Sequence, residues 1–248
     1  MEKQIRVGAQ YYNLWRTPLE PKAKLQVIRT LGYDSVELAG FNGENYDGLP
    51  ASELKKCADE LELAICGAHV PYPKFADSME QIISCHKELG VHWIAIPRPR
   101  VESARDMEEL IDHINRYAAR LRAAGLDLYY HCHDFEFRAL EGVTAMERIL
   151  KETDVMLEVD VFWAARGGCD VPSFIREHRE RIRYLHLKDS VNGKPCAIGQ
   201  GELDWSYYYD AAAAMGHTDI VVEDDIQEPD GVTSICNSMQ CIRKYRGW

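Results

Sequence analysis

The sequence predicts an α/β protein of the (β/α)8 TIM barrel class, folded as a single domain over residues 1–248. Three observations carry this expectation. Short apolar runs alternate eight times with amphipathic stretches, in units of about thirty residues. Four of the amphipathic stretches close on a glycine just before the next apolar run: Leu31-Gly32, Leu89-Gly90, Ala124-Gly125 and Met215-Gly216. Finally, nearly every apolar run ends in a residue able to bind a metal, carry a proton or pair with an anion.

The first strand spans residues 6–11, followed by a helix over 18–31 in which Leu25, Ile28 and Leu31 share a face. Pro18 suits the first turn, where its missing N–H does no harm. The second strand covers 35–38 and its helix 52–61; the third strand covers 64–69 and its helix 79–89. The fourth strand, 93–96, stops at Pro97-Arg98-Pro99-Arg100, and the helix over 106–124 presents Met107, Leu110, Ile114, Tyr117 and Leu121 on one face. The fifth strand covers 128–133, with a helix at 143–150. The sixth covers 156–161, with a helix at 171–178. The seventh covers 182–186, with a helix at 205–215, and the eighth covers 220–222, with a final helix at 232–245. An open doubly wound sheet would normally place a glycine-rich turn after its first strand, and Tyr11-Tyr12-Asn13-Leu14-Trp15 contains none. No linker or low-complexity segment divides the chain.

Composition narrows the function. The formal charge of −11 and the lack of a basic patch argue against a nucleic-acid partner. Residues 1–5 carry no apolar signal region, and no apolar run approaches the roughly 18 residues that span a bilayer. A cytoplasmic protein without membrane contact is the expectation. The eight cysteines form no C-x-x-C pair and are read as reduced, mostly buried thiols. Tyr207-Tyr208-Tyr209 is compatible with a homo-oligomer interface or with an ordinary helix face.

In a barrel of this class the chemistry sits where strands end and βα loops begin. Those positions hold Gln10, Glu37, His69, Arg98, His131, His133, Asp160, His186, Lys188 and Glu223. The densest stretch is His131-Cys132-His133-Asp134-Phe135-Glu136; on a strand its two histidines point the same way. Glu158 and Asp160 share one face of the sixth strand, and a buried carboxylate pair needs a cation or hydrogen bonds to neutralise it. His186 and Lys188 aim together from the seventh strand. The eighth ends in Glu223-Asp224-Asp225, tolerable if Glu223 faces a cation and its neighbours face water. Asp160, His186 and Glu223 form a mixed O/N set suited to one divalent ion, Mn²⁺ first, with Mg²⁺, Co²⁺ or Zn²⁺ as alternatives.

These pieces in this order resemble the xylose isomerase-like TIM-barrel superfamily, the large group of sugar isomerases and epimerases. The resemblance rests on Gly67-Ala68-His69-Val70-Pro71, Tyr130 to Phe137, Glu158-Val159-Asp160-Val161-Phe162-Trp163 and His186-Leu187-Lys188-Asp189. It continues through Gly199-Gln200-Gly201-Glu202-Leu203-Asp204-Trp205 and Val222-Glu223-Asp224-Asp225, nearly the whole chain. It implies a single-metal site with one ligand from each of strands five to eight: His131, Asp160, His186 and Glu223. The chain departs from many epimerases of the group, which have a glutamate where His131 stands; Glu136 is the alternative fifth-strand ligand or a substrate contact.

The expected reaction is proton abstraction beside the carbonyl of a sugar or keto-sugar, through a metal-stabilised enediolate. Glu223 is the expected base, with His131 or His133 serving the other face. Lys188 and His69 would hold negative charge on oxygen or protonate a leaving hydroxyl. Trp15, Phe135 and Trp163 offer apolar faces for a sugar ring, Arg98 an anion contact, and Gln200 a further substrate contact. Return of the proton gives an isomerase or epimerase; loss of a β-substituent gives a dehydratase or lyase acting on an inosose or 3-keto-glycoside. A non-catalytic sugar-binding barrel is a third reading. An apurinic-site endonuclease is disfavoured, since Trp163 stands where that group needs a histidine.

Overall fold

The computed structural model describes residues 5–225, 227 and 229–247. Eight parallel strands close a barrel: β1 (Arg6–Gln10), β2 (Ser35–Leu38), β3 (Ala64–His69), β4 (Trp93–Pro97), β5 (Asp127–His131), β6 (Met156–Asp160), β7 (Ile182–Leu187) and β8 (Asp219–Val222). Each pairs with its sequence neighbours, and β8 pairs with β1. Register decides which side chains meet at the C-terminal mouth. Gln10 lies beside Glu37, His131 beside Glu158, and Asp160 beside His186.

The helices pack outside the barrel for the reason their periodicity predicts. In the helix over Ala104–Ala123, Met107, Leu110, Ile114, Tyr117 and Leu121 are all buried. The glycine joints work as expected: Gly32, Gly90, Gly125 and Gly216 have φ between +70° and +94°, a region other residues enter only at a cost.

Several boundaries differ from the sequence expectation, each for a local reason. The helix over Pro21–Thr30 begins at its proline, not at Pro18. Ser103 caps the helix over Ala104–Ala123 by accepting from Asp106 N–H, which moves the helix start forward to Ala104. Thr144 and Glu147 form a reciprocal cap that delays the next helix to Ala145. Two short helices were unforeseen, Tyr72–Asp77 and Val161–Arg166. The second is capped by Asp160, whose Oδ1 accepts from Trp163 N–H at 2.9 Å, so β6 ends at Asp160 and Trp163 rides on a helix. β5 ends at His131 rather than His133, because residues 135–137 turn back and Glu136 accepts from His133 N–H at 2.8 Å. A hairpin of Asp189–Val191 and Lys194–Cys196 follows β7.

The barrel interior changes character along its axis. On the N-terminal side of the site, Trp93 packs its ring on Tyr129 (centroids 4.9 Å apart) and on Tyr184 (4.2 Å). Gly67 makes this plug possible, since a Cβ there would come within 2.0 Å of the Trp93 indole. The aromatic layer closes the bore, and the layer above it is almost wholly polar.

Candidate active site

That polar layer is built on Glu158. It is fully buried, and its two oxygens meet three imidazoles: Oε2 lies 2.7 Å from His69 Nε2 and 3.0 Å from His131 Nδ1, and Oε1 lies 3.0 Å from His186 Nε2. Burial alone would raise the Glu158 carboxyl, but His186 and His69 together with these hydrogen bonds hold it well below the usual range. Being ionised, it makes the nitrogens that face it the protonated ones. Glu37, also fully buried, lies 2.8 Å from His186 Nε2 and accepts from the Gln10 amide. Burial, reinforced by the charge of Glu158, pushes Glu37 up to about 7.

Above this stand Asp160, Glu223, Lys188 and Asp225. Lys188 is 1% exposed, and its Nζ lies 3.0 Å from Asp160, 3.1 Å from Glu223 and 2.6 Å from Asp225. Burial opposes its charge, but the three carboxylates outweigh burial and raise it well above the ordinary lysine value. The converse holds for Glu223, which Lys188 and His186 keep well below the usual range despite burial. Asp160 is raised to about 6 by burial, against the pull of Lys188.

The histidines divide by environment. Burial lowers His131 to about 3 and, with the charge of Lys188, depresses His133 further. Both are neutral imidazoles near pH 7. His69 and His186 also lose solvation, but Glu37 and Glu158 more than compensate and raise them.

An open cleft of about 300 Å³ lies over this layer, with His69, His131, His133, Glu223 and Asp225 at its floor and Trp15 and Arg98 on its wall. Trp15, nearly half exposed, stacks on Tyr12 and covers Gly40, where a Cβ would meet its ring at 2.4 Å. Arg98 stands between two prolines with φ +43°, a left-handed backbone that costs about 1–2 kcal/mol. Its guanidinium lies 5.8 Å from the Trp163 ring.

Of the residues singled out in the sequence, His69, His131, His133, Glu223, Arg98 and Trp15 line the cleft, with Asp160, His186 and Lys188 packed at its floor. His133 reaches it from a loop, its ring 4.8 Å from that of His131. Glu136 does not line it. It is fully buried under the loop, accepting from Tyr130 O–H and His133 N–H, both at 2.8 Å. Gln200 and Trp163 line a neighbouring hollow. The neighbours of Glu223 do not face water as expected: Asp224 is 2% exposed, accepts from Ser234 Oγ and donates its N–H to Asn13, and Asp225 pairs with Lys188. Glu158 is the main residue whose part the sequence reading missed. The signal was its position two residues before Asp160, on the same strand face.

The donor set fits a divalent cation. One ligand atom each from His131, Asp160, His186 and Glu223 lie within 4.8 Å of one another. Two carboxylates balance a charge of two; His131 is neutral, His186 would give up its Nδ1 proton on binding, and the buried Asp160 Oδ2 has the Lys188 ammonium 3.0 Å away. His69, His131, Glu158 and His186 form a second close group deeper in the bore. There the oxygens of Glu158 are already engaged by imidazoles, and the outer group is the one that opens on the cleft.

Comparison with known proteins agrees with this architecture. Residues 25–245 match the xylose isomerase-like TIM barrel family. An inosose dehydratase of Geobacillus kaustophilus is 29% identical over 115 residues, which span 43% of this chain and 37% of that protein. A sugar phosphate isomerase/epimerase from Parabacteroides distasonis superposes with a TM-score of 0.85 at 24% identity, covering 96% of this chain and 98% of the other. The 3-keto-D-glucoside 4-epimerase of E. coli superposes with a TM-score of 0.76 at 18% identity, covering 97% of this chain and all (100%) of the other. No helix among the described residues is long and apolar enough to cross a membrane. With a closed eight-strand barrel, a histidine–carboxylate cluster at its C-terminal mouth and a family match over residues 25–245, the chain belongs to the xylose isomerase-like TIM barrel family.

Proposed function

We propose that the chain is a divalent-metal-dependent isomerase or epimerase that removes and returns a proton beside the carbonyl of a sugar or keto-sugar. The observation that carries this is the pairing, around one cleft, of an ionised Glu223 with the neutral imidazoles of His131 and His133. A carboxylate from β8 and imidazoles from the end of β5, strands that are not neighbours in the barrel, reach the same cleft.

His131, Asp160, His186 and Glu223 would hold the metal. When bound, it would supply Lewis-acid polarisation of a substrate carbonyl. Glu223 takes the proton; Lys188, fixed 3.1 Å from it, keeps that carboxylate ionised between turnovers. His133, which lines the cleft, serves as the proton carrier for the other face. His69, whose charged form Glu158 and Glu37 favour against burial, donates to a substrate oxygen. Glu158 keeps all three inner imidazoles oriented and is a positioning residue.

A second reading, β-elimination of water or another substituent, is favoured by one feature. His69 lines the cleft and is raised in pKa, the state an acid for a leaving hydroxyl requires. The similarity to an inosose dehydratase points the same way. Incubating the metal-loaded protein with ketoses, inososes and 3-keto-glycosides separates the two. A new isomer or epimer without loss of water supports the first reading. An enone product replaces it with the second. Unchanged turnover and metal content in Asp160→Asn and Glu223→Gln would remove both from this site.

A further inference from the structure

A second hollow, of about 520 Å³, lies next to the cleft. Trp163 and Arg166 of the Val161–Arg166 helix form one wall, and the hairpin carrying Lys194 forms the other. Asp225 lines both spaces. Its Oδ2 accepts from Trp163 Nε1 at 3.0 Å as well as from Lys188, so the indole is held against the residue that the two spaces share.

The hollow is held in shape. The Asp189 carboxylate accepts the N–H groups of Ser190, Gly199, Gly201 and Leu203, at 2.8–3.0 Å, which pins the loop that carries Gln200. Arg166 Nη1 donates to Gly193 O at 2.9 Å and ties the hairpin turn to the helix. Four backbone bonds to one carboxylate make a rigid loop, and a rigid loop presents its side chains in fixed positions.

The lining is mixed in sign and partly aromatic: an indole, the Arg166 guanidinium, the Lys194 ammonium, the Gln200 amide and the carboxylates of Asp224 and Asp225. An anion would meet those carboxylates, and Arg166 already lies 3.6 Å from Asp134. Hydroxyls both donate and accept, so they match such a set, and an indole face suits the C–H surface of a pyranose. We propose that this hollow is a second sugar subsite, taking the residue linked to the ring that reacts in the cleft. The preferred substrate is then a keto-disaccharide rather than a free keto-sugar. This rests on the reading of the cleft as the site of enolisation.

The test compares a 3-keto-disaccharide with the matching free 3-keto-hexose on the metal-loaded protein, reading solvent-deuterium exchange beside the carbonyl. The ratio of their kcat/KM values favours the disaccharide by about tenfold, as one or two well-placed hydrogen bonds would supply. It falls toward one in Lys194→Trp, whose exposed position allows the added ring, chiefly through KM. Saturation-transfer NMR reads contact without turnover: saturation on both rings of the disaccharide supports the subsite. Equal kcat/KM for the two sugars, or saturation confined to one ring or absent, overturns it. Loss of exchange with both sugars while both rings remain saturated removes the proposed reaction and leaves the subsite standing.

Discussion

Glu158 Oε2 stands 3.0 Å from His131 Nδ1, and this contact fixes which nitrogen of the imidazole is free. An ionised carboxylate accepts from Nδ1–H, which leaves the lone pair on Nε2 available as a ligand. Through Oε2 it also orients His69, and through Oε1 it faces His186. Glu158→Gln keeps the shape but removes the charge. Such outer partners are worth about 10–100-fold in metal affinity, and calorimetric titration with Mn²⁺ should show a loss of that size. The fold should persist, as judged by far-UV circular dichroism.

Metal binding should release a proton. His186 lies between carboxylates on both nitrogens, Nδ1 being 3.0 Å from Glu223 and Nε2 facing Glu37 and Glu158, so it is protonated well above the usual imidazole value. A cation bound by Glu223 and His186 replaces the Nδ1 proton. Affinity should therefore rise with pH, about tenfold per unit while one proton is displaced. Titrations in buffers of different ionisation enthalpy measure the number released. A value of zero contradicts the assignment of His186 as a ligand.

Glu136 predicts a pH dependence of stability. Burial raises its carboxyl from 4.5 to about 7, only partly offset by Tyr130 O–H and the N–H of His133. The folded state therefore binds more protons than the unfolded chain between these values. Stability from this group is present below the unfolded pKa and is lost as pH rises through about 7, to a total of about 3 kcal/mol. Denaturant unfolding at pH 5 and pH 8 should show a smaller drop in Glu136→Gln than in the wild type. An equal drop would place the ionisation elsewhere.

Gly67 sits where the aromatic plug approaches the backbone most closely. Gly67→Ala drives a Cβ to 2.0 Å from the Trp93 indole, whose ring is itself packed between Tyr129 and Tyr184. The indole cannot retreat, and overpacking of this kind costs about 1–3 kcal/mol. A lowered denaturation midpoint with unchanged metal content is the expected outcome.

The barrel was legible because its signals are local. Apolar runs, helix faces such as Met107 to Leu121, and glycines with positive φ report on their own neighbourhoods. Strand-end positions such as His69, Asp160 and Glu223 were legible for the same reason, since strand ends and loops can be counted. What the sequence did not disclose depends on distance in space. Glu158 becomes a hub only because register sets it beside His131 and brings His69 and His186 inward. Asp225 becomes a partner of Lys188 only because β7 and β8 are neighbours. The helix that carries Trp163 was not legible because it starts from a single cap, Asp160 accepting from Trp163 N–H.

The central claim is that Glu223 removes a proton beside a substrate carbonyl in a metal-dependent site. The most direct measurement is deuterium incorporation from D₂O at that carbon, followed by NMR, in the metal-loaded wild type, the chelator-treated protein and Glu223→Gln. Exchange is expected in the first, and exchange slower by about 10²–10⁴ when the base is removed, with recovery in the chelated protein on adding Mn²⁺. Exchange at the wild-type rate in both the chelated protein and Glu223→Gln would contradict the claim.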